Sequence, residues 1–276
     1  MKTAIVCEGG GMRGVYTSGV LQAFMEGGFV ADELVGVSAG ASNGASYVSG
    51  QKGRGYRTNV DYAADPRYCS VGNFLKTGSI FGMDYIFTEI ADVLDPFDFE
   101  AFHAAPCGFW AGATDVATGK ATFFGKDHIS QGLMAIRASC SLPMLSHMVE
   151  IDGRLYLDGG IADPIPIDKA LADGCERLVV VLTRERGYRK TPQSFRPVYR
   201  QMYRQWPAFV QAMQLRHLTY NHTLERLWRL EEAGQAIVIA PAAPLGVDRF
   251  GKDKEKLVNA YYTGLADGQQ ALTLLR

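Results

Sequence analysis

A chain of 276 residues, 47% hydrophobic and 21% charged, has ample material for a buried core, which excludes a disordered polypeptide. A formal net charge of −1 excludes a global attraction to nucleic acid or to anionic membranes, so any basic surface is local. The five cysteines (Cys7, Cys69, Cys107, Cys140, Cys175) are odd in number and contain no C-x-x-C, so neither a disulfide framework nor a zinc site is expected.

The cysteines read as reduced, mostly buried thiols of a cytosolic protein. The apolar run 3–7 is too short for the core of a signal peptide and no A-x-A pattern follows it. No stretch approaches eighteen apolar residues. A soluble protein is expected, able to visit a membrane surface.

In chain order, a strand at 3–7 leads through Gly9-Gly10-Gly11-Met12-Arg13-Gly14 into a helix over 13–27, where Val15, Val20, Leu21 and Phe24 mark an apolar face. A second strand at 34–37 delivers Gly36-Val37-Ser38-Ala39-Gly40, and a small-residue helix follows over 39–49. This alternation predicts a βαβ unit, hence a parallel sheet covered by helices. The polar, aromatic stretch 50–73 lacks periodicity and reads as a long surface loop or a partly helical insertion. A helix is expected over 83–94, stopping before Pro96.

Residues 109–115 and 121–124 form a predicted hairpin, and a helix over 129–139 follows. Short strands at 148–151 and 155–157 are joined by Asp152-Gly153, a strong hairpin turn, and the second runs into Asp158-Gly159-Gly160. Pro164 and Pro166 open a helix at 165–173, and 178–183 is apolar enough for a sheet centre. Beyond Arg184 the pattern is helical over 197–233, broken at Pro207, then a strand at 236–240 and a helix over 252–275. With no repeat and no long linker, the chain reads as a single domain, 1–276.

The turn at Ser38 fits G-x-S-x-G, in which a serine nucleophile sits at a sharp strand-to-helix corner with small neighbours. The upstream glycine loop opens a helix, and its free amides can hold a developing negative charge. Together they suggest acyl transfer. Gly9-x-Gly11-x-x-Gly14 also matches the dinucleotide fingerprint, but that reading needs an acid at the end of the second strand. Asp32 and Glu33 precede that strand instead.

A serine nucleophile needs a base. Of the five histidines, only His217 and His222 follow Asp158 in the order of an α/β-hydrolase triad, and both fall in the long helical stretch. Asp158 itself is the other candidate, ending a strand where Gly159 and Gly160 let the backbone approach another loop. Three readings therefore stand at this point: a Ser–Asp hydrolase, a histidine-triad hydrolase of small esters, and a non-hydrolytic nucleotide-binding protein. Arg196, Arg200 and Arg204 share one helical face beside Tyr199, Tyr203 and Trp206. That face is either a patch for anionic lipid or an ordinary solvated surface with its aromatics packed inward.

The glycine loop, the G-x-S-x-G turn and Asp158-Gly159-Gly160, with Ala138-Ser139-Cys140-Ser141-Leu142-Pro143 between the last two, resemble in kind and order the motifs of the patatin-like phospholipase family, bacterial members in particular. The likeness spans residues 3–183, leaving 184–276 as a mostly helical extension with one further strand. It implies a three-layer α/β/α fold with a mainly parallel central sheet, and a Ser–Asp dyad with no catalytic histidine. By position, Ser38 is the expected nucleophile and Asp158 the general base. The loop Gly9, Gly10, Gly11 and Met12 is the expected oxyanion hole, and Arg13 a candidate for a phosphate headgroup. Gly14, Gly36, Gly40, Gly159 and Gly160 complete the turns. A lipid or acyl-ester substrate and transient contact with a membrane surface follow, with no nucleic acid, metal or organic cofactor implied.

Overall fold

In the computed structural model, which describes residues 1–275, β1 (Thr3–Cys7) and β2 (Glu33–Val37) pair in parallel with Val6 opposite Val35. The last residue of the expected 184–276 extension lies outside the described residues. The connection between the strands is the glycine loop, a turn of 3-10 helix at Gly11–Arg13, and α1 (Gly14–Glu26). Beyond β2 comes α2 (Ala39–Val48), rich in small residues.

The segment expected to be loop or partly helical is the latter. Helix α3 (Arg54–Tyr56) runs on through a π-helical turn at Arg57–Asp61 and a 3-10 turn at Tyr62–Ala64, and α4 (Val71–Thr77) follows. The next helix is wound mostly as π-helix, over Tyr85–Leu94. Sequence periodicity missed α5 (Phe99–Ala104), a short helix capped by Asp98 Oδ1, which accepts the Ala101 amide at 2.8 Å.

The remaining strands are β3 (Gly108–Asp115), β4 (Ala121–Phe124), β5 (Val149–Ile151), β6 (Arg154–Asp158), β7 (Arg177–Val181) and β8 (Ala236–Ile239). Helices α6 (Met134–Cys140), α7 (Ile167–Ala172), α8 (Arg196–Met202), α9 (Pro207–Glu232) and α10 (Lys254–Leu275) complete the described residues. Helix α6 starts five residues later than periodicity suggested, because residues 130–133 form a turn.

The strands form one sheet in the order β5-β6-β3-β2-β1-β7-β8, with β4 also on β3. The run β3-β2-β1-β7-β8 is parallel, while β4, β5 and β6 are antiparallel to their neighbours. Alternation along β1 sorts the core into two faces. Ala4 and Val6 pack with Ile167, Tyr220 and Leu227 of α7 and α9, whereas Ile5 and Cys7 pack with Tyr16, Val20 and Ala41 of α1 and α2. Three layers result, as the resemblance implied. Helix α10 lies against α1 with backbones touching. A Cβ at Gly268 would stand 2.9 Å from Val20 Cα, and one at Gly19 would strike Tyr261 O.

One register places the candidate site. Along one edge of β3, β2 ends with Val37 opposite Gly112, and β6 ends with Asp158 opposite the next residue, Ala113. The two strands run head to head, so the turn after Val37 and the turn after Leu157 are brought together.

Candidate active site

Ser38 leaves β2 with φ 55° and ψ −125°, a backbone conformation that costs a non-glycine residue about 1–3 kcal/mol. The corner is possible because its neighbours are small. A Cβ at Gly36 would stand 2.6 Å from the Ala41 amide nitrogen, and one at Gly40 would run into the carbonyls of Cys7 and Glu8. Gly14 and Gly159 likewise admit close contact with Ala39 and with the Gly112 carbonyl. The Ser38 amide donates to Ser139 Oγ at 2.7 Å, and that hydroxyl donates to the Gly112 carbonyl at 2.5 Å.

Asp158 is buried. Its amide donates to Ser141 O at 2.7 Å and its carbonyl accepts from Thr114 Oγ1 at 2.9 Å. Of its carboxylate oxygens, Oδ1 accepts the Gly160 amide at 2.8 Å, while Oδ2 is buried with no hydrogen-bond partner. Burial raises the carboxyl above its ordinary value, against the opposing pull of Arg216 and of the neighbouring Ser38 hydroxyl. A raised carboxyl with a free oxygen is a better base than an exposed aspartate.

The glycine loop lies beside Ser38. Gly11 has φ 57°, and a Cβ there would stand 2.8 Å from Arg249 O. The Met12 amide donates to Arg249 O at 3.1 Å, so Met12 is not a free donor as expected of the oxyanion loop. Gly9 faces Pro164 O at 3.5 Å. Among the described residues no protein acceptor takes the amides of Gly10 and Gly11, which leaves this pair free.

Two clefts meet at Ser38. One is apolar and runs past Met12, Tyr68, Phe81, Ile86 and Phe87. The other is polar and holds Gly9, Gly10, Gly11, Arg13, Asp158 and Gly160. No histidine lines either cleft; His217 and His222 sit on α9. The acid a dinucleotide site requires is also absent from the end of β2, and Glu33 at its start pairs with Lys2 at 3.2 Å.

Sequence reasoning missed Ser139, visible only as part of a motif without an assigned role. It also missed Arg184, Lys190, Arg216 and Arg249, which enter the polar cleft from the extension. Only Arg184 left a signal, since it follows an apolar parallel strand, and ligands gather at the carboxyl ends of such strands. Glu8, at the corresponding end of β1, is buried and fully used. It accepts the Thr183 amide at 2.6 Å, Thr183 Oγ1 at 3.1 Å and the Tyr220 hydroxyl at 2.9 Å.

The sequence model described as patatin-like phospholipase matches residues 5–171, more than half of the chain. The chain belongs to the patatin-like phospholipase family. A second model, described as a domain of unknown function, matches residues 206–276. Among curated proteins, the chain is 30% identical over 213 residues to the uncharacterized protein YjjU of Escherichia coli, covering 72% of this chain and 57% of that one. It is 31% identical over 174 residues to an uncharacterized NTE family protein of Mycobacterium tuberculosis, covering 60% of this chain and 44% of the other. Lysophospholipase NTE1 of Saccharomyces cerevisiae is 28% identical over 192 residues, 64% of this chain and 10% of the yeast protein. The chain thus spans about half the length of the bacterial relatives it matches and a tenth of the yeast one.

Proposed function

We propose that this chain is a serine acyl hydrolase that releases fatty acid from phospholipid or a related lipid ester through a Ser38–Asp158 dyad. The observation that carries the reading is the head-to-head meeting of β2 and β6, which sets Ser38 beside a buried carboxylate with one free oxygen. In the proposed cycle Oδ2 of Asp158 accepts the Ser38 proton as Oγ attacks the ester carbonyl carbon. The carbonyl electron pair moves onto its oxygen, which the Gly10 and Gly11 amides receive. One such donor contributes on the order of 3–4 kcal/mol to the transition state.

Collapse breaks the bond to the alcohol oxygen, which takes the proton from Asp158. Water then repeats the sequence on the acyl-enzyme and frees the acid. The apolar cleft suits the acyl chain, and membership of a family whose relatives include a named lysophospholipase supports a lipid substrate. No helix among the described residues is long and apolar enough to cross a membrane. We read α8 as the contact with lipid surfaces. Tyr199 and Tyr203 pack inward, as on an ordinary solvated face, so the contact falls to Phe195, Val198 and Met202, which are exposed together with Arg196, Arg200 and Arg204.

The decisive experiment is fluorophosphonate labelling followed by peptide mass spectrometry. Modification of Ser38, lost in Asp158→Asn, supports the dyad. Label on another residue, or none on an enzyme that still hydrolyses esters, overturns it.

A further inference from the structure

The polar cleft is lined by five cationic side chains, Arg13, Arg184, Lys190, Arg216 and Arg249, and by only two carboxylates, Glu8 and Asp158. Several arginines elsewhere in this chain are neutralised: Arg57 pairs with Asp95, Arg67 with Asp65 and Glu89, Arg186 with Glu231, and Arg226 with Asp168. Among the described residues none of the five in the cleft forms an ion pair.

They are held by other means that leave charge and donors available. The Arg184 guanidinium lies 4.4 Å from the Tyr188 ring centre, and Lys190 Nζ lies 4.4 Å from that of Tyr220. Arg216 Nε donates to the Gly160 carbonyl, two residues from Asp158. Arg13 Nε is buried without a partner. Crowding these cations together is costly. Burial, then the charge of Arg216, lowers Lys190 to about 7, and burial lowers Arg13 and Arg216 as well. An anion bound among them would remove that cost.

We propose that this cleft binds a phosphomonoester or similarly dianionic headgroup carried on the alcohol side of the ester, and that Arg184, Lys190, Arg216 and Arg249 of the extension select it. The proposal rests on the acyl-hydrolase reading above for its substrate, but not for its binding site. Gly11, Ser38 and Leu142 border both clefts, so an ester at Ser38 has its acyl chain on the apolar side and its alcohol on the cationic side. Planar guanidinium groups suit phosphate oxygens, and a dianion uses more of them than a zwitterionic phosphodiester can.

The test compares three oleoyl esters in neutral detergent micelles: lysophosphatidic acid, lysophosphatidylcholine and monoacylglycerol. The wild type is expected to favour the phosphomonoester in kcat/KM by about tenfold or more over either competitor, equivalent to about 1.4 kcal/mol. Arg184→Gln and Lys190→Met should each shrink that ratio several-fold, with circular dichroism reporting an intact fold. Equal rates on all three esters, or ratios unmoved by both variants, overturn the proposal.

Calorimetric titration with inorganic phosphate separates the two sources of such an anion. Phosphate binding without any preference for the phosphomonoester ester assigns the cleft to a free anion and likewise overturns the headgroup. An ether-linked phosphomonoester lysolipid has no cleavable ester, so its Lys190-dependent binding reads the cleft even if Ser38 proves unreactive. Failure of hydrolysis and failure of headgroup binding are therefore told apart.

Discussion

The amide of Ser38 donates to the hydroxyl of Ser139, 101 residues away, and that hydroxyl ties the Ser38 corner to the Gly112 carbonyl of β3. Replacing Ser139 by Ala leaves a buried N–H and a buried carbonyl without partners, which costs about 1–3 kcal/mol for each. Ser139→Ala is expected to lower the melting temperature and to reduce kcat about tenfold or more with little change in KM. Wild-type kcat in a folded variant would show that the corner holds itself.

Ser38→Ala and Ser38→Gly should both abolish ester hydrolysis, but their stabilities should differ. Glycine accepts a φ of 55° freely, whereas alanine keeps the strain. Ser38→Gly is expected to be the more stable of the two, by about 1 kcal/mol in urea unfolding. A less stable glycine variant would mean that the corner stores no strain.

Asp158→Asn should cost about as much activity as losing Ser38, and the double variant hardly more, because in the proposed cycle the pair acts as a unit. His217→Ala and His222→Ala should keep most activity. A severe loss at either histidine with a mild Asp158→Asn would assign the base to α9.

Any side chain at Gly11 must adopt a positive φ and displace Arg249. Gly11→Val is expected to lower kcat by at least about a hundredfold, the effect of losing one oxyanion donor. Melting curves belong with the kinetics, and near-normal turnover in a folded variant would locate the oxyanion donors elsewhere.

The pH profile should depend on the substrate. As the proposed base, Asp158 must be ionised to act, and burial raises its carboxyl, so kcat/KM for a neutral ester should rise with pH through a limb above the ordinary carboxylate range. For a phosphomonoester ester the profile should also fall above about 7, as Lys190 loses its proton. Lys190→Met should remove the alkaline limb and leave the acid one. An alkaline limb that persists in this variant would belong to another group.

Strand-end chemistry was the legible part of this chain. Glycine spacing marked both turns, and alternation of apolar runs with helical periods announced the parallel sheet at β1, β2 and β7. The antiparallel β6 is where local pattern stops short. Its last residue was marked by Asp158-Gly159-Gly160, but its place against β3 depends on register with Ala113, a long-range pairing that periodicity does not encode. The cationic wall was unreadable for a similar reason. Arg184, Lys190, Arg216 and Arg249 are spread over 66 positions and converge only because α9 and the segment before α10 fold back across the sheet. Conversely, Arg196, Arg200 and Arg204 were recognisable as a stripe with aromatics beside it, and the structure separates the two, with Tyr199 and Tyr203 inward and the arginines outward.

The grip of Arg249 on Met12, together with the backbone contact of α10 on α1, has a consequence in time. Translation makes the glycine loop well before Arg249, which holds it, so a growing chain has its serine long before the loop beside it can be locked. On the proposed mechanism, lipolysis waits until Arg249 and α10 have seated against the loop and α1.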